Sequence, residues 1–285
     1  IASCLVGSEM CIRDSYFFNE LDKYLKKNNA LYFRVDPYLP YQYLNHDGEF
    51  IENAGNDWIF DKFKQLGYKH QGFRTGFDPV IQIRFHSVLD LKNKTAQDVL
   101  NGMDGLRKRN TKKVQKNGVK VRFLGEDELP IFRSFMEDTS ESKDFSDRDD
   151  IFYYNRLRHY KDRVLVPLAY IDFDDYIAEL QSEGNVLEKD LNKALKDIEK
   201  RPDNKKSYNK KENLEQQLQA NEQKIEEAKS LQAKHGNDLP ISAAFFIVNP
   251  FEVVYYAGGT ANEFRHFAGS YAIQWKMINL SLIHI

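Results

Sequence analysis

The segment from Ile177 to Ala244 constrains the fold most, because its composition differs sharply from that of its flanks. It contains one aromatic residue, Tyr208, in a chain that has 20 Phe and 16 Tyr in all. Apolar residues recur every three or four positions on both sides of Pro202. The stripe before Pro202 is Leu187, Leu191, Ala194 and Ile198, and the stripe after it, which includes one Asn, is Leu214, Leu218, Asn221, Ile225 and Ala228. This pattern predicts two antiparallel helices, a coiled-coil arm over 177–239. A disordered charged linker is the alternative, and the persistence of both stripes favours the helices.

The segments on either side of this arm are rich in β-branched and aromatic residues. Residues 119–176 predict a strand at "VKVRFL", helices at 126–137 and 149–160, and a strand at "RVLVPLAYID". Residues 240–279 predict the strands "ISAAFFIVN" and "VVYYAGG" and a helix at 266–279. This order is typical of the acetyltransferase-like (GNAT-type) α/β fold.

Residues 16–118 predict a separate α/β unit. Helices are expected at "YFFNELDKYLKKN", at "NDWIFDKFKQLG" and over 95–117, and strands at "ALYFRVDPY" and "PVIQIRFHSVLDL". We therefore expect 16–118 to be the C-terminal part of a first GNAT-like subdomain with a connecting helix. Residues 119–176 and 240–279 then form a second GNAT-like subdomain, and we expect both to be incomplete.

The two ends, 1–15 and 280–285, resemble translated sequencing-adapter sequence and are excluded from these predictions. Both cysteines, Cys4 and Cys11, fall within the first of them, so the remaining chain offers neither a disulfide framework nor a thiolate metal site. The seven histidines lack metal-ligand spacing, and no metal is predicted. No apolar run reaches the roughly 18 residues of a membrane span.

The formal net charge of −2 means that any polyanion must meet a local patch. The candidate patch is "GLRKRNTKKVQKNG", residues 105–118, in which no acid occurs. At 3.6 residues per turn, four of its cations share one helical face. The predicted anion-binding residues are Arg107, Arg109, Lys112, Lys113 and Lys116. A solvated helix face is the alternative.

A second candidate site is "FSDRDDIFYYNRLRHY", in which Arg148 precedes a helix with interleaved basic and aromatic residues. Phe152 and Tyr153 on this helix can bind an anionic, partly apolar ligand together with the arginines. The alternative is that Phe152 and one Tyr belong to the core, while the arginines pair with the nearby aspartates.

A third candidate is "VVYYAGGTANEF", in which Gly258 and Gly259 end a strand and can present backbone N–H groups to an anion. A simple turn is the alternative. The Gln/Arg-x-x-Gly-x-Gly/Ala loop of enzymes that use coenzyme A is missing, which argues against a simple thioester donor. No nucleophile-elbow, Walker, zinc or Rossmann pattern occurs, and the sequence assigns no catalytic residue.

Long stretches of the chain, among them "DPYLPYQYLNHDGEF", "MDGLRKRNTKKVQKNGVKVRFL" and "VNPFEVVYYAGGT", resemble the Fem family of non-ribosomal peptidyl transferases. The resemblance extends over about 16–279. It implies two GNAT-like subdomains with a helical arm inserted in the second. It also implies transfer of an amino acid from aminoacyl-tRNA to the lipid-linked peptidoglycan precursor, without a cofactor. The resemblance is to the member that adds the second and third glycines of the bridge from glycyl-tRNA.

The resemblance also implies roles for individual residues. Arg148 matches a substrate-contacting arginine in an Arg-x-x-x-(Tyr/Phe) helix, with Phe152 or Tyr153 as the aromatic residue. Tyr255 and Tyr256 match a tyrosine-containing strand ahead of the Gly258–Gly259 pair. The basic helix is assigned to the precursor's diphosphate or to the tRNA backbone.

Further implications concern location, partners and activity. The protein is expected to be cytoplasmic and peripheral to the inner face of the membrane, and to associate with copies of itself or with other Fem-type proteins. Family members carry a precursor-binding lysine before the matched region and a Phe-Lys-Lys-Gly-like segment after it, so we expect this chain to be inactive in glycyl transfer. The competing functions are a tRNA- or precursor-binding module without catalysis and a coiled-coil interaction protein.

Overall fold

The computed structural model describes residues 8–35, 40–52, 55–73 and 84–284. These residues fall into two compact units, Ile1–Ser87 and Val88–Ile285, which are described separately.

The helices and strands have the following bounds. The helices are α1 Ser8–Lys27, α2 Trp58–Gln65, α3 Ala96–Gly102, α4 Gly105–Lys116, α5 Leu129–Lys143, α6 Asp150–Tyr160, α7 Phe173–Lys200, α8 Lys205–His235 and α9 Gly269–His284. The strands are β1 Val119–Phe123, β2 Val164–Leu165, β3 Pro167–Asp172, β4 Asp238–Val248 and β5 Val253–Thr260. Short 3-10 turns cover Lys161–Arg163 and Asn262–Phe267.

The first unit is organised around aromatic contacts of α1 and α2. Phe18 of α1 meets the rings of Phe63 and Tyr68 edge to face, with centroid distances of 5.2 and 5.5 Å. The two strands predicted here do not form in their described parts, 31–35 and 84–91. The remaining residues of the two segments, 36–38 and 79–83, lie outside the described residues. A strand needs a paired neighbour for its backbone groups. Within the described part of this unit, the only such pairing is the isolated bridge between Leu44 and Phe50.

The second unit is built on an antiparallel sheet. β1 pairs with β3, β3 pairs with β4, and β2 and β5 also pair with β4. The strand predicted at 163–172 forms as two, β2 and β3, separated at Val166. The register of β4 and β5 shifts between Phe245 and Phe246, which pair with Ala257 and Tyr255. This β-bulge leaves Tyr256 as the extra residue of β5.

Helices cover both faces of this sheet. On the α9 face, α4, α9 and the start of α7 pack on apolar residues such as Val114, Phe246 and Ile273. On the α5 face, α5 and α6 pack on a second cluster that includes Phe132 and Phe245. Because successive side chains of a strand point to opposite faces, these two clusters stay separate.

The helix predicted over 95–117 is broken into α3 and α4. Thr95 and Asp98 form a capping box at the start of α3, and the Asp104 carboxylate accepts a hydrogen bond of 2.8 Å from the Arg107 backbone N–H to begin α4. Both helices contact α9 and therefore lie in the second unit, whereas our sequence assignment placed 16–118 together.

The segment from α7 to α8 is a helical hairpin whose turn contains Pro202. The apolar stripe residues face each other along it, with Ala194, Leu214 and Ala228 buried. At its root, Lys120 of β1 binds Asp172 Oδ2 at 2.7 Å and also Asp175. No helix of the described residues is long and apolar enough to cross a membrane.

Candidate functional site

Two arginines and two aromatic rings meet where α6 lies beside β5. Phe152 and Arg156, one helical turn apart, share a face of α6, and Arg156 Cζ lies 3.2 Å from the centroid of the Phe152 ring. The Phe152 and Tyr256 rings are 5.6 Å apart, and Arg148 Cζ lies 4.9 Å from the Phe152 centroid. We call Arg148, Phe152, Arg156 and Tyr256 the arginine–aromatic cluster.

Among the described residues, no carboxylate lies within ion-pair distance of Arg148 or Arg156. Arg156 Nη1 donates a hydrogen bond of 3.2 Å to the Phe152 carbonyl, and burial lowers the pKa of Arg156, with the charge of Arg148 adding to this effect. No buried side-chain nitrogen of the described residues lacks a partner, so the remaining N–H groups of Arg156 are open to solvent. Two half-buried cations that lack carboxylate partners among the described residues can bind an anion.

Tyr153 and Arg133 bind the aspartates on either side of Arg148. Tyr153 is 1% exposed, and its hydroxyl donates to Asp147 Oδ1 at 2.9 Å. Arg133 of α5 binds Asp147 and donates from Nε to Asp150 Oδ1 at 2.7 Å. Burial, and then Asp147, raise the pKa of Tyr153, so its phenol stays protonated as a donor. These contacts fix the backbone on both sides of Arg148.

The alternative in which the arginines pair with the nearby aspartates is therefore wrong for Arg148 and Arg156. Asp147 and Asp150 pair with Arg133, and Asp149 caps α6 by accepting from the Phe152 backbone N–H at 2.8 Å. Tyr153, predicted to bind substrate, is a core residue, whereas Phe152 lies in the cluster.

The two tyrosines predicted to act together point to opposite faces of the sheet. Tyr256 lies on the α5 face, with its ring 6.3 Å from that of Phe245, and belongs to the cluster. Tyr255 lies on the α9 face, with its ring 5.2 Å from that of Phe246, away from the cluster. Adjacent residues of a strand alternate in direction, so the pair cannot form one site. Burial raises the pKa of Tyr256, against the opposing charges of Arg148 and Arg156, and keeps its hydroxyl protonated.

Gly258 and Gly259 lie within β5 and pair with Ala244 and Ala243 of β4. They form no turn and do not end the strand, which continues through Thr260. A Cβ at Gly259 would meet the Phe135 carbonyl of α5 and come within 2.6 Å of Thr139 Oγ1. Because glycine has no side chain, α5 packs closely on the sheet at Gly259, and the role of this residue is in packing.

The basic residues of α4 divide into two groups. Arg107 pairs with Asp104 and lies about 160° around the helix from Arg109, so it does not share the basic face. Arg109, Lys112 and Lys113 are exposed, and no ion pair to another described residue involves them. The side chain of Lys116 lies outside the described part of the chain.

The sequence placed Arg156 only among the basic residues of this helix and gave it no role of its own in the site. The available signal was its spacing of four residues from Phe152, which places the two side chains on one helical face. The same spacing describes an ordinary packing contact, and only the position of β5 shows that Tyr256 completes the arrangement.

Comparison with known proteins gives consistent results. The FemAB family model matches residues 11–284. The chain is 76% identical to "Aminoacyltransferase FemA" of Staphylococcus epidermidis and 75% identical to that of Staphylococcus aureus, over 94% of this chain and 64% of each relative. The chain thus spans less than two thirds of the length of these curated relatives.

A solved structure is similar in fold. It is described as "Crystal structure of FemX", with a TM-score of 0.65 and 22% identity over 82% of this chain and 59% of that one. At this identity the likeness shows a shared mixed α/β fold. With the family match over nearly the whole chain and the high identity to the staphylococcal proteins, this chain belongs to the FemAB family.

Proposed function

We propose that this chain belongs to an aminoacyltransferase that moves glycine from glycyl-tRNA onto the interpeptide bridge of the lipid-linked peptidoglycan precursor, at the second and third positions. The support is its family, its identity to proteins named as FemA aminoacyltransferases, and the arginine–aromatic cluster. Two GNAT-like subdomains, a coiled-coil arm, and a cytoplasmic location at the membrane surface belong to the same proposal, as does association with other Fem-type proteins.

The reaction is the aminolysis of an ester. The neutral amine of the bridge attacks the glycyl carbonyl, a C–N bond forms, and the C–O bond to the tRNA ribose breaks. The amine proton passes to the ribose oxygen that leaves. This chemistry requires placement of two substrates and stabilisation of an oxyanion, and it requires neither a covalent enzyme intermediate nor a cofactor.

The single observation that carries the assignment of a substrate site is a pair of arginines to which the described residues supply no carboxylate partner. Arg148 and Arg156 flank the Phe152 ring, and each offers N–H donors to an anionic group of the precursor. Phe152 and Tyr256 supply an apolar surface beside it. Arg148 and Phe152 follow the resemblance stated above, and Arg156 extends the site by one residue.

Binding of the precursor in detergent micelles, followed by titration calorimetry, tests this assignment. Arg148→Ala is expected to weaken binding by tenfold or more, because it removes a charge-assisted hydrogen-bond donor. Deleting 186–232, the outer part of the helical hairpin, is expected to leave this affinity unchanged. Loss of precursor binding on the deletion, with Arg148→Ala unaffected, would instead favour an interaction protein whose function lies in the hairpin.

A further inference from the structure

The outward face of α4 is a compact basic surface. On a helix with 100° per residue, Arg109, Lys112 and Lys113 fall within an arc of about 100°. All three side chains are exposed. We call these three residues the α4 basic face. Thr111 and Val114, on the opposite side of the helix, are buried against the second unit, so the helix has a fixed orientation.

Interactions among the described residues do not neutralise this face. Asp104, the nearest acid, binds Arg107, and Lys108 Nζ donates to the Asn101 carbonyl at 3.2 Å. Like charges three and four residues apart repel by a few tenths of a kcal/mol per pair in a helix. A bound polyanion would relieve this repulsion.

The α4 basic face and the arginine–aromatic cluster lie on opposite sides of the sheet. α4 packs with α9, and its buried Val114 belongs to the core of the α9 face. Phe152 and Tyr256 pack on the core of the α5 face. A diphosphate bound at the cluster is therefore separated from α4 by the sheet and its packed helices. Any ligand of the α4 basic face is therefore a different one.

Of the extended polyanions, RNA fits this face better than an anionic membrane. A helix that lies on a membrane inserts an apolar face into the lipid, with its cations beside it. In α4 the apolar side is buried in the protein, and Leu106 is the one large apolar side chain exposed along the described part of the helix. Three cations on one helix face without an apolar wedge match the phosphate backbone, which is contacted through charge and hydrogen bonds and needs no apolar insertion.

We infer that Arg109, Lys112 and Lys113 contact the phosphate backbone of RNA, on the side of the sheet opposite the arginine–aromatic cluster. This inference rests on the proposed function, which identifies the RNA as the tRNA donor. It places an RNA contact on α4.

The test measures binding of a short RNA duplex by fluorescence anisotropy at about 50 and 200 mM salt. The variant is Lys112→Gln/Lys113→Gln, and the control is Lys143→Gln/Lys276→Gln, which removes two exposed lysines elsewhere in the same unit. Loss of two phosphate contacts reduces the slope of log affinity against log salt concentration by about 1.8. Between the two salt concentrations, the RNA affinity of the unmodified chain should therefore fall by a factor about twelve times larger than the factor for the variant. The control should behave as the unmodified chain does, and circular dichroism should show that both variants fold.

Each other outcome has a defined meaning. If the unmodified chain binds RNA and the α4 variant has the same salt slope, the inference is wrong and the proposed function stands. If the unmodified chain binds no RNA, both the inference and the tRNA part of the proposed function fail. If the variant loses binding to vesicles containing phosphatidylglycerol and keeps its RNA affinity, the α4 basic face is a membrane contact and the inference is wrong.

Discussion

Replacing Tyr153 with phenylalanine removes one oxygen atom from beneath the candidate site. The hydroxyl is buried and donates to Asp147 Oδ1 at 2.9 Å, and the carboxylate of Asp147 and the guanidinium of Arg133 are only 10% and 11% exposed. Hydrogen bonds to charged groups contribute about 1.5–3 kcal/mol to stability. Asp147 keeps its pairing with Arg133, so we place the loss for Tyr153→Phe at about 2 kcal/mol.

Urea unfolding followed by tryptophan fluorescence measures this loss. The chain has two tryptophans, one in each unit, so a Trp58→Phe background leaves Trp275 of α9 to report on the second unit alone. Tyr160→Phe is the matched control, because Tyr160 lies on the same helix with its ring exposed, and its loss should stay within about 0.5 kcal/mol. A loss below about 0.5 kcal/mol for Tyr153→Phe would refute the claim that this hydrogen bond anchors the segment carrying Arg148.

Three further predictions use the same unfolding assay. Asp147→Ala leaves the Arg133 guanidinium, which is 11% exposed, without its buried partner and should cost about 3 kcal/mol, more than Tyr153→Phe. Gly259→Ala places a methyl group against the backbone of α5 and should cost about 1–3 kcal/mol, whereas Gly258→Ala meets the tip of a movable side chain and should cost less. Lys120 lowers the pKa of Asp172, so this carboxylate stabilises the fold above its unfolded pKa of about 3.9, and the contribution is lost as the pH falls further. Asp172→Asn should therefore flatten the dependence of the urea midpoint on pH below about pH 4, and an unchanged slope would contradict this.

The elements of the second unit could be predicted from the sequence where a pattern was strong and local. The apolar stripes around Pro202 predicted the two helices of the hairpin, and "VVYYAGG" predicted a strand at β5. The break between α3 and α4 was missed, although Asp104 is a typical cap residue, because the helical pattern resumes immediately after it. The β-branched pattern of "PVIQIRFHSVLDL" predicted a strand that its described part, 84–91, does not form, because strand formation depends on a partner that the sequence alone does not identify.

The candidate site was only partly predictable, because it depends on the relative placement of α6 and β5. Arg148 and Phe152 could be named from the resemblance to the family. The separation of Tyr255 from Tyr256 follows from strand alternation, but the bulge that makes Tyr256 the extra residue of β5 depends on the register with β4. The role of Asp147 was obscured because its partner, Arg133, lies 14 residues earlier, on α5.

The most direct test of the account compares two arginines on one helix. Arg156 has no carboxylate partner among the described residues and lies in the cluster, whereas Arg158 is 59% exposed and pairs with Glu126 at 2.6 Å. Precursor affinity should fall roughly ten- to a hundredfold for Arg156→Met, which keeps the bulk beside Phe152 and removes the charge. It should change less than about twofold for Arg158→Met. Equal affinities for the two variants would contradict the claim that the arginine–aromatic cluster binds the precursor.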